Sequence, residues 1–544
     1  MHHCLAIPEI LTLICETLSP YTDVGKRENR PDLVRLARTC KSISQVALRC
    51  LWKTCPDLAV MVKYTMPSSL WTGRELTPAR PIAQKDLKRF YFYAPFVREI
   101  NFGQATPSAR CTLSDEGYIA LCLALKRGPI FPNLTCMGLN MNGVNPLSIR
   151  HFISPALTRL RIIADALTTA DIASLQYVQQ QCPKVAVLDL KINGPALDTK
   201  RVAIISDVLC GWTLKELTTT HISWRALGRL ASSKTLQRLH LVLGPKSEFN
   251  GVSIQSNAFS HLGYLCIDTV PISFGTCVSM FRQSAFYSLH TLIINTLTPN
   301  PALWEKLTPA LRAAHKDPPI LRHLTLKETR DRAATATAAI QEANAESTLH
   351  SLYCFSGLEE LHISSSREFL LTPVTLQCMG KFWPEMRDMG FSVRYRFTPK
   401  LPLHALEHLA AGCRHLKTLR LDVSAVGVSL GQAPPPSFER QRALTSLAID
   451  WSAITSARVV ATYLSTLFAN IKTVSSKLEN STVRTQGDVR NRKWKKVEHL
   501  LPAFTAMREH VEHRRNGLLT DEMDDSDGGQ RKELNDTEFA SDSE

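Results

Sequence analysis

A single six-residue phrase, apolar-x-x-apolar-x-apolar, constrains this chain more than any other feature. It occurs thirteen times between residues 97 and 449: VREINF at 97, LTCMGL at 134, LTRLRI at 157, VAVLDL at 185, LKELTT at 214, LQRLHL at 236, LGYLCI at 262, LHTLII at 289, LRHLTL at 321, LEELHI at 358, MRDMGF at 386, LKTLRL at 416 and LTSLAI at 444. Start-to-start spacings run from 22 to 37 residues and average about 29. The departure from the pattern is Thr219, at the third apolar position of LKELTT.

Side chains alternate along a strand, so the last two apolar residues of each phrase point to one face. The first packs at the turn into the strand. One copy is too small to fold alone, and stacked copies build a continuous core. Helix-like segments fill the intervals, for example 114–126, 403–413 and 457–471. Strand then helix, repeated, predicts an α/β leucine-rich-repeat solenoid over 96–471, with parallel strands on the concave face and helices outside. The spacings above 30 residues predict inserted loops.

In such an array the third and fifth residues of each phrase face the concave side. That surface is chemically mixed. Arg159, Arg161, Asp189, Arg238, His240 and Tyr264 are its candidate substrate-binding residues. Arg159, Arg161 and Arg238 could read an acidic or phosphorylated ligand. The competing reading is ordinary solvated sheet surface. The face carries no aromatic ladder or basic stripe of the kind a nucleic-acid groove needs. The net charge of +15 is scattered along the chain. Its densest cluster, Arg490 to Lys496, reads as the solvated start of a helix, so no specific nucleic acid is expected.

The two ends follow other rules. Residues 7–18 repeat apolar residues at steps of three and four, with Pro8 suited to a first helical turn. A second helical stretch begins near Asp32 and continues after a break at Lys41-Ser42. Residues 1–52 therefore form a short all-helical module. Such a unit has too little interior to stand comfortably alone. Residues 53–95, with prolines at 56, 67, 78, 81 and 95, read as a helical connector. Residues 472–516 hold a basic segment and an amphipathic helix over 494–513 that Pro502 should kink or split. Residues 517–544 are strongly acidic and read as a disordered tail.

The remaining features exclude function classes. No long uncharged apolar run predicts a membrane span. The N-terminus, Met1-His2-His3-Cys4, lacks a secretory signal pattern. The 15 cysteines form no Cys-x-x-Cys pair. They read as reduced thiols of a soluble cytoplasmic or nuclear protein, with no metal site and no cofactor. No Walker loop, His-Glu-x-x-His or kinase signature occurs, so no catalytic residue is expected.

Residues 7–52 resemble an F-box. The residues that carry the resemblance are Ile7-Pro8-Glu9-Ile10-Leu11, Ile14 and Leu18. They continue with Leu33, Leu36, Ala37, Cys40, Lys41 and Ile43, and end at Leu51-Trp52. Two positions depart from the family pattern: Glu9 follows Pro8 directly, and Ile43 stands where an aromatic is usual. The layout with repeats behind the helices looks like the large F-box-like families of mushroom-forming (basidiomycete) fungi. The resemblance implies an adaptor of an SCF-type (cullin-RING) ubiquitin ligase. The residues just named would dock a Skp-type subunit, and the repeats would bind a protein substrate. The alternative is a protein-binding scaffold without ligase attachment, whose N-terminal helices cap the solenoid. The two differ in where those helices pack.

Overall fold

The computed structural model describes residues 7–18, 30–102, 111–125, 129–143, 146–194, 197–243, 258–269, 274–296, 302–328, 345–365, 369–393, 399–429, 438–450, 452–475 and 486–515. The tail at 517–544 lies outside the described residues.

All thirteen phrases lie on strands of one parallel sheet of 15 strands. The third residue of each phrase is the register partner of the third residue in the next. Glu99 pairs with Cys136, Cys136 with Arg159, Arg159 with Val187, and so on to Ser446 with Thr473. A one-residue slip would turn a whole row of leucines to solvent, so the pattern itself holds the register. First, fourth and sixth positions are buried throughout, as in Leu236, Leu239 and Leu241. Thr219 is buried too, and its hydroxyl donates to the His221 carbonyl at 2.9 Å, which satisfies the polar atom in an apolar row.

Helices connect successive strands and pack over one side of the sheet, expected to be convex, and the other side is the face expected to be concave. Six of these helices start after Ser114, Thr168, Asp198, Ser223, Thr372 or Ser456, whose side chains accept a first-turn N–H. The hydrophobic core runs unbroken from Cys55 to Leu501. Burial pushes the Cys182, Cys277 and Cys413 thiols up to about 12, so they stay uncharged inside it. No helix among the described residues is long and apolar enough to cross a membrane.

The flanking segments differ from their sequence expectation. Residues 53–95 are not a separate connector. Thr54–Cys55 pairs with Glu99–Ile100 as the first strand of the sheet, and the helix Leu58–Thr65 buries Leu58, Ala59, Met61 and Val62 in the main core. The prolines lie around these elements, and the apolar residues between them close the solenoid's N-terminal end. At the other end, Thr473–Ser475 is the last strand, and the helix Gln486–Arg515 covers it. That helix is not split at Pro502, which lies on its exposed side, away from the buried row Trp494, Val497 and Leu501.

One buried polar group makes stability depend on pH. His315 sits against the rings of Phe286 and Phe355, with centroids 5.6 and 5.1 Å away. Its Nδ1 lies 3.0 Å from the Leu311 carbonyl, and its Nε2 has no partner. Burial pushes the imidazole down to about 4. An unfolded histidine takes its proton near pH 6.5, so the contribution of neutral His315 is present above that pH and is lost as pH falls towards about 4. The loss at about pH 4.5 is about 2 to 3 kcal/mol. His315→Phe is expected to flatten this part of the pH dependence in urea unfolding. An unchanged slope between about pH 6.5 and 4.5 would show that His315 is not its source.

Candidate functional site

Two surfaces carry the residues singled out from the sequence. The first is the N-terminal unit of α1 (Pro8–Thr17), α2 (Arg30–Ala37) and α3 (Lys41–Lys53). Pro8 opens α1 where its missing N–H has no role. The three helices close a core of their own from Leu11, Cys15, Leu33, Ile43 and Ala47, separate from the solenoid core. Lys53 Nζ meets Glu16 Oε1 at 2.6 Å and ties the end of α3 to α1.

The residues singled out from the sequence divide into three groups. Leu11, Leu33 and Ile43 are interior. Ile14, Leu18, Leu36, Ala37, Cys40 and Leu51 are half-buried around that interior. Ile7, Pro8, Glu9, Ile10 and Lys41 are exposed. Trp52 belongs elsewhere: it packs on the solenoid core, its ring 5.1 Å from Tyr93. Arg49 lies over Phe96, so the end of α3 is the root of the unit.

The exposed apolar residues of this unit are Ile7 at 44%, Ile10 at 38%, Leu13 at 63% and Val34 at 42%. Leu13 and Val34 were not among the sequence candidates. The signal for them is surplus. α1 carries apolar residues over more of its circumference than a one-sided stripe needs, and whatever the small core leaves over must face outward.

The second surface is the concave face, where adjacent strands pair opposite charges. Arg161 Nε contacts Asp189 Oδ2 at 2.9 Å, and Lys191 reaches the same oxygen at 3.7 Å. Arg238 lies over the Tyr264 ring, 4.7 Å from its centroid. His240 Nε2 meets Asp268 Oδ2 at 2.9 Å, and Asn295 Nδ2 donates to Asp268 Oδ1 at 2.7 Å. The hydrogen bond to Asp268, then that to Cys266, raises the His240 imidazole to about 10. Burial alone would raise Asp268, but His240 and Asn295 outweigh it and hold the carboxyl below its usual range. His323 and Glu360 pair at 3.0 Å, and His362 and Asp388 at 3.8 Å.

These pairings change the meaning of the three arginines. Arg238 lies three strands from Arg159 in the same register, about 14 Å away at the usual strand spacing. Arg161 is already neutralised by Asp189. The face therefore offers alternating charge pairs, with His240, Cys266 and Asp268 bringing three potential metal donors together.

No protein-family model matches the chain, and no curated protein matches it in sequence. Among solved structures, it is similar to the crystal structure of the Rad7 and Elc1 complex in yeast, with 15% identity and a TM-score of 0.34. The match covers 89% of this chain and 94% of that one.

Proposed function

We propose that this chain is a substrate-recruiting adaptor of an SCF-type ubiquitin ligase. In this reading α1–α3 dock a Skp-type subunit, and the concave face binds a protein substrate in the cytoplasm or nucleus. Ubiquitin transfer itself belongs to other subunits.

The observation that carries the reading is the separate core of α1–α3 with its outward apolar residues. A helical cap would turn those residues onto the repeats. Here the N-terminal end of the sheet is already covered by residues 54–96, and Ile7, Ile10, Leu13 and Val34 are left exposed among the described residues. Apolar helix faces of this kind are docked by a complementary groove. Rooting of α3 through Trp52 would hold the docking unit and the substrate face in one frame.

The test is binding of the intact chain to a purified Skp-type subunit, beside Ile10→Asp and Leu13→Asp. Both positions are exposed, so the substitutions leave the fold intact. A carboxylate placed in an apolar contact is expected to weaken binding by about a hundredfold, or about 3 kcal/mol. No binding by the intact chain, or full binding by both variants, would sink the adaptor reading. It would leave a leucine-rich-repeat scaffold without ligase attachment.

A further inference from the structure

We propose that His240, Cys266 and Asp268 form a binding site for a divalent ion of the zinc class on the concave face. This site stands apart from the docking reading and needs only the repeat array. His240 and Cys266 are register partners on adjacent parallel strands, and Asp268 follows Cys266 by two residues, on the same face. One donor atom from each lies within 4.8 Å of the other two. Ligands of a tetrahedral zinc ion sit about 3.5 Å apart, so small side-chain rotations close the site.

The surroundings suit an ion. Cys266 is buried at the floor, 6% exposed, while the His240 and Asp268 side chains flank it at 30% and 36%. Access is therefore from the concave side. The bond from Asn295 holds one Asp268 oxygen and leaves the other turned to His240, as supporting residues do for ligating carboxylates. Lys191, which also acts on Asp268, is engaged by Asp189 at 3.7 Å. An imidazole, a thiol and a carboxylate together favour zinc over calcium or magnesium, which take oxygen. The His323–Glu360 and His362–Asp388 pairs on the same face have no thiol between them, and this is the one such triad among the described residues. Three protein ligands leave a fourth position open to the groove. Sequence spacing hides the site because His240 and Asp268 come from successive repeats, 28 residues apart.

The test titrates the metal-free full chain with cobalt(II) and then with zinc(II). One equivalent of cobalt is expected to give thiolate-to-cobalt charge-transfer absorption that zinc abolishes. Cys266→Ser is expected to remove that absorption. His240→Gln should weaken cobalt binding at least tenfold, and Asn295→Ala, which keeps all three donors, by about tenfold. Cys378→Ser, on a convex helix, should change nothing. No charge-transfer band in the intact chain overturns the proposal, as does a band that survives Cys266→Ser. If Cys266→Ser does not fold, unchanged cobalt affinity in His240→Gln overturns it equally.

Discussion

Trp494→Ala is expected to cost about 3 to 5 kcal/mol and to release the C-terminal helix. Trp494 is 2% exposed, and its indole N–H donates to the Ser452 carbonyl at 3.0 Å. Val497 and Leu501 follow it on the same buried row. Around this row the helix is tied by polar contacts. Glu498 Oε1 accepts from Val474 N at 3.1 Å, and Arg508 Nε donates to Ser465 Oγ at 2.8 Å. Removing the indole opens a cavity and strips a buried carbonyl of its donor, and these two penalties add. A solenoid is held mainly by nearest-neighbour contacts, so the damage begins at the end strand Thr473–Ser475. Two measurements check this: the urea midpoint, and limited proteolysis for early release of a C-terminal fragment. Trp494→Phe keeps much of the apolar area but loses the N–H and part of the ring, so it should cost less, about 1 to 3 kcal/mol. If Trp494→Ala left both readouts unchanged, the helix would not be what closes this end.

That helix also shows where sequence reading succeeds and where it stops. Thirteen phrases placed thirteen strands in register, because a period-two pattern repeated at similar intervals permits one stacking. The closing segments repeat nothing. Thr54–Cys55 is two residues long, and only its pairing with Glu99–Ile100 makes it a strand. Pro502 warns of a broken helix, yet its ring lies on the solvent side, and the buried row is unaffected. The candidate site was legible in the same uneven way. The apolar residues of α1–α3 mark a unit that wants burial, but core and face share one residue type. Leu11 and Ile10 are neighbours in sequence, and only the packing sends one in and the other out. On the concave face, position numbers say only which residues share a face. They do not give pairing, which is why Arg161 looks free in the sequence and is held by Asp189 in the fold.

Two glycines in convex helices should respond to alanine with opposite signs. Helix propensity favours Ala over Gly by about 0.5 to 1 kcal/mol in a helix interior, and by less in the end turns where these two glycines sit. At Gly275, in the helix Phe274–Gln283, an added Cβ meets nothing within 4 Å, so Gly275→Ala should be neutral or stabilising. Gly412 ends the helix Leu406–Gly412, which crosses the helix Pro373–Phe382 at Gly380. A Cβ on Gly412 would overlap the Gly380 carbonyl oxygen and Cα, and one on Gly380 would lie 2.6 Å from the His408 carbonyl oxygen. These neighbours are backbone, so no rotamer change relieves the contact. Overpacking of this kind costs about 1 to 3 kcal/mol, and the rigid neighbours place it at the upper end. It therefore outweighs the propensity gain, and Gly412→Ala should lose about 2 kcal/mol net. The cost falls on the spacing of two successive repeats, which sets the local curvature of the concave face. Urea unfolding of the two variants side by side decides the matter. Equal stabilisation by both would mean that the helices separate freely here, and that close approach at Gly380 and Gly412 does not hold the repeats together.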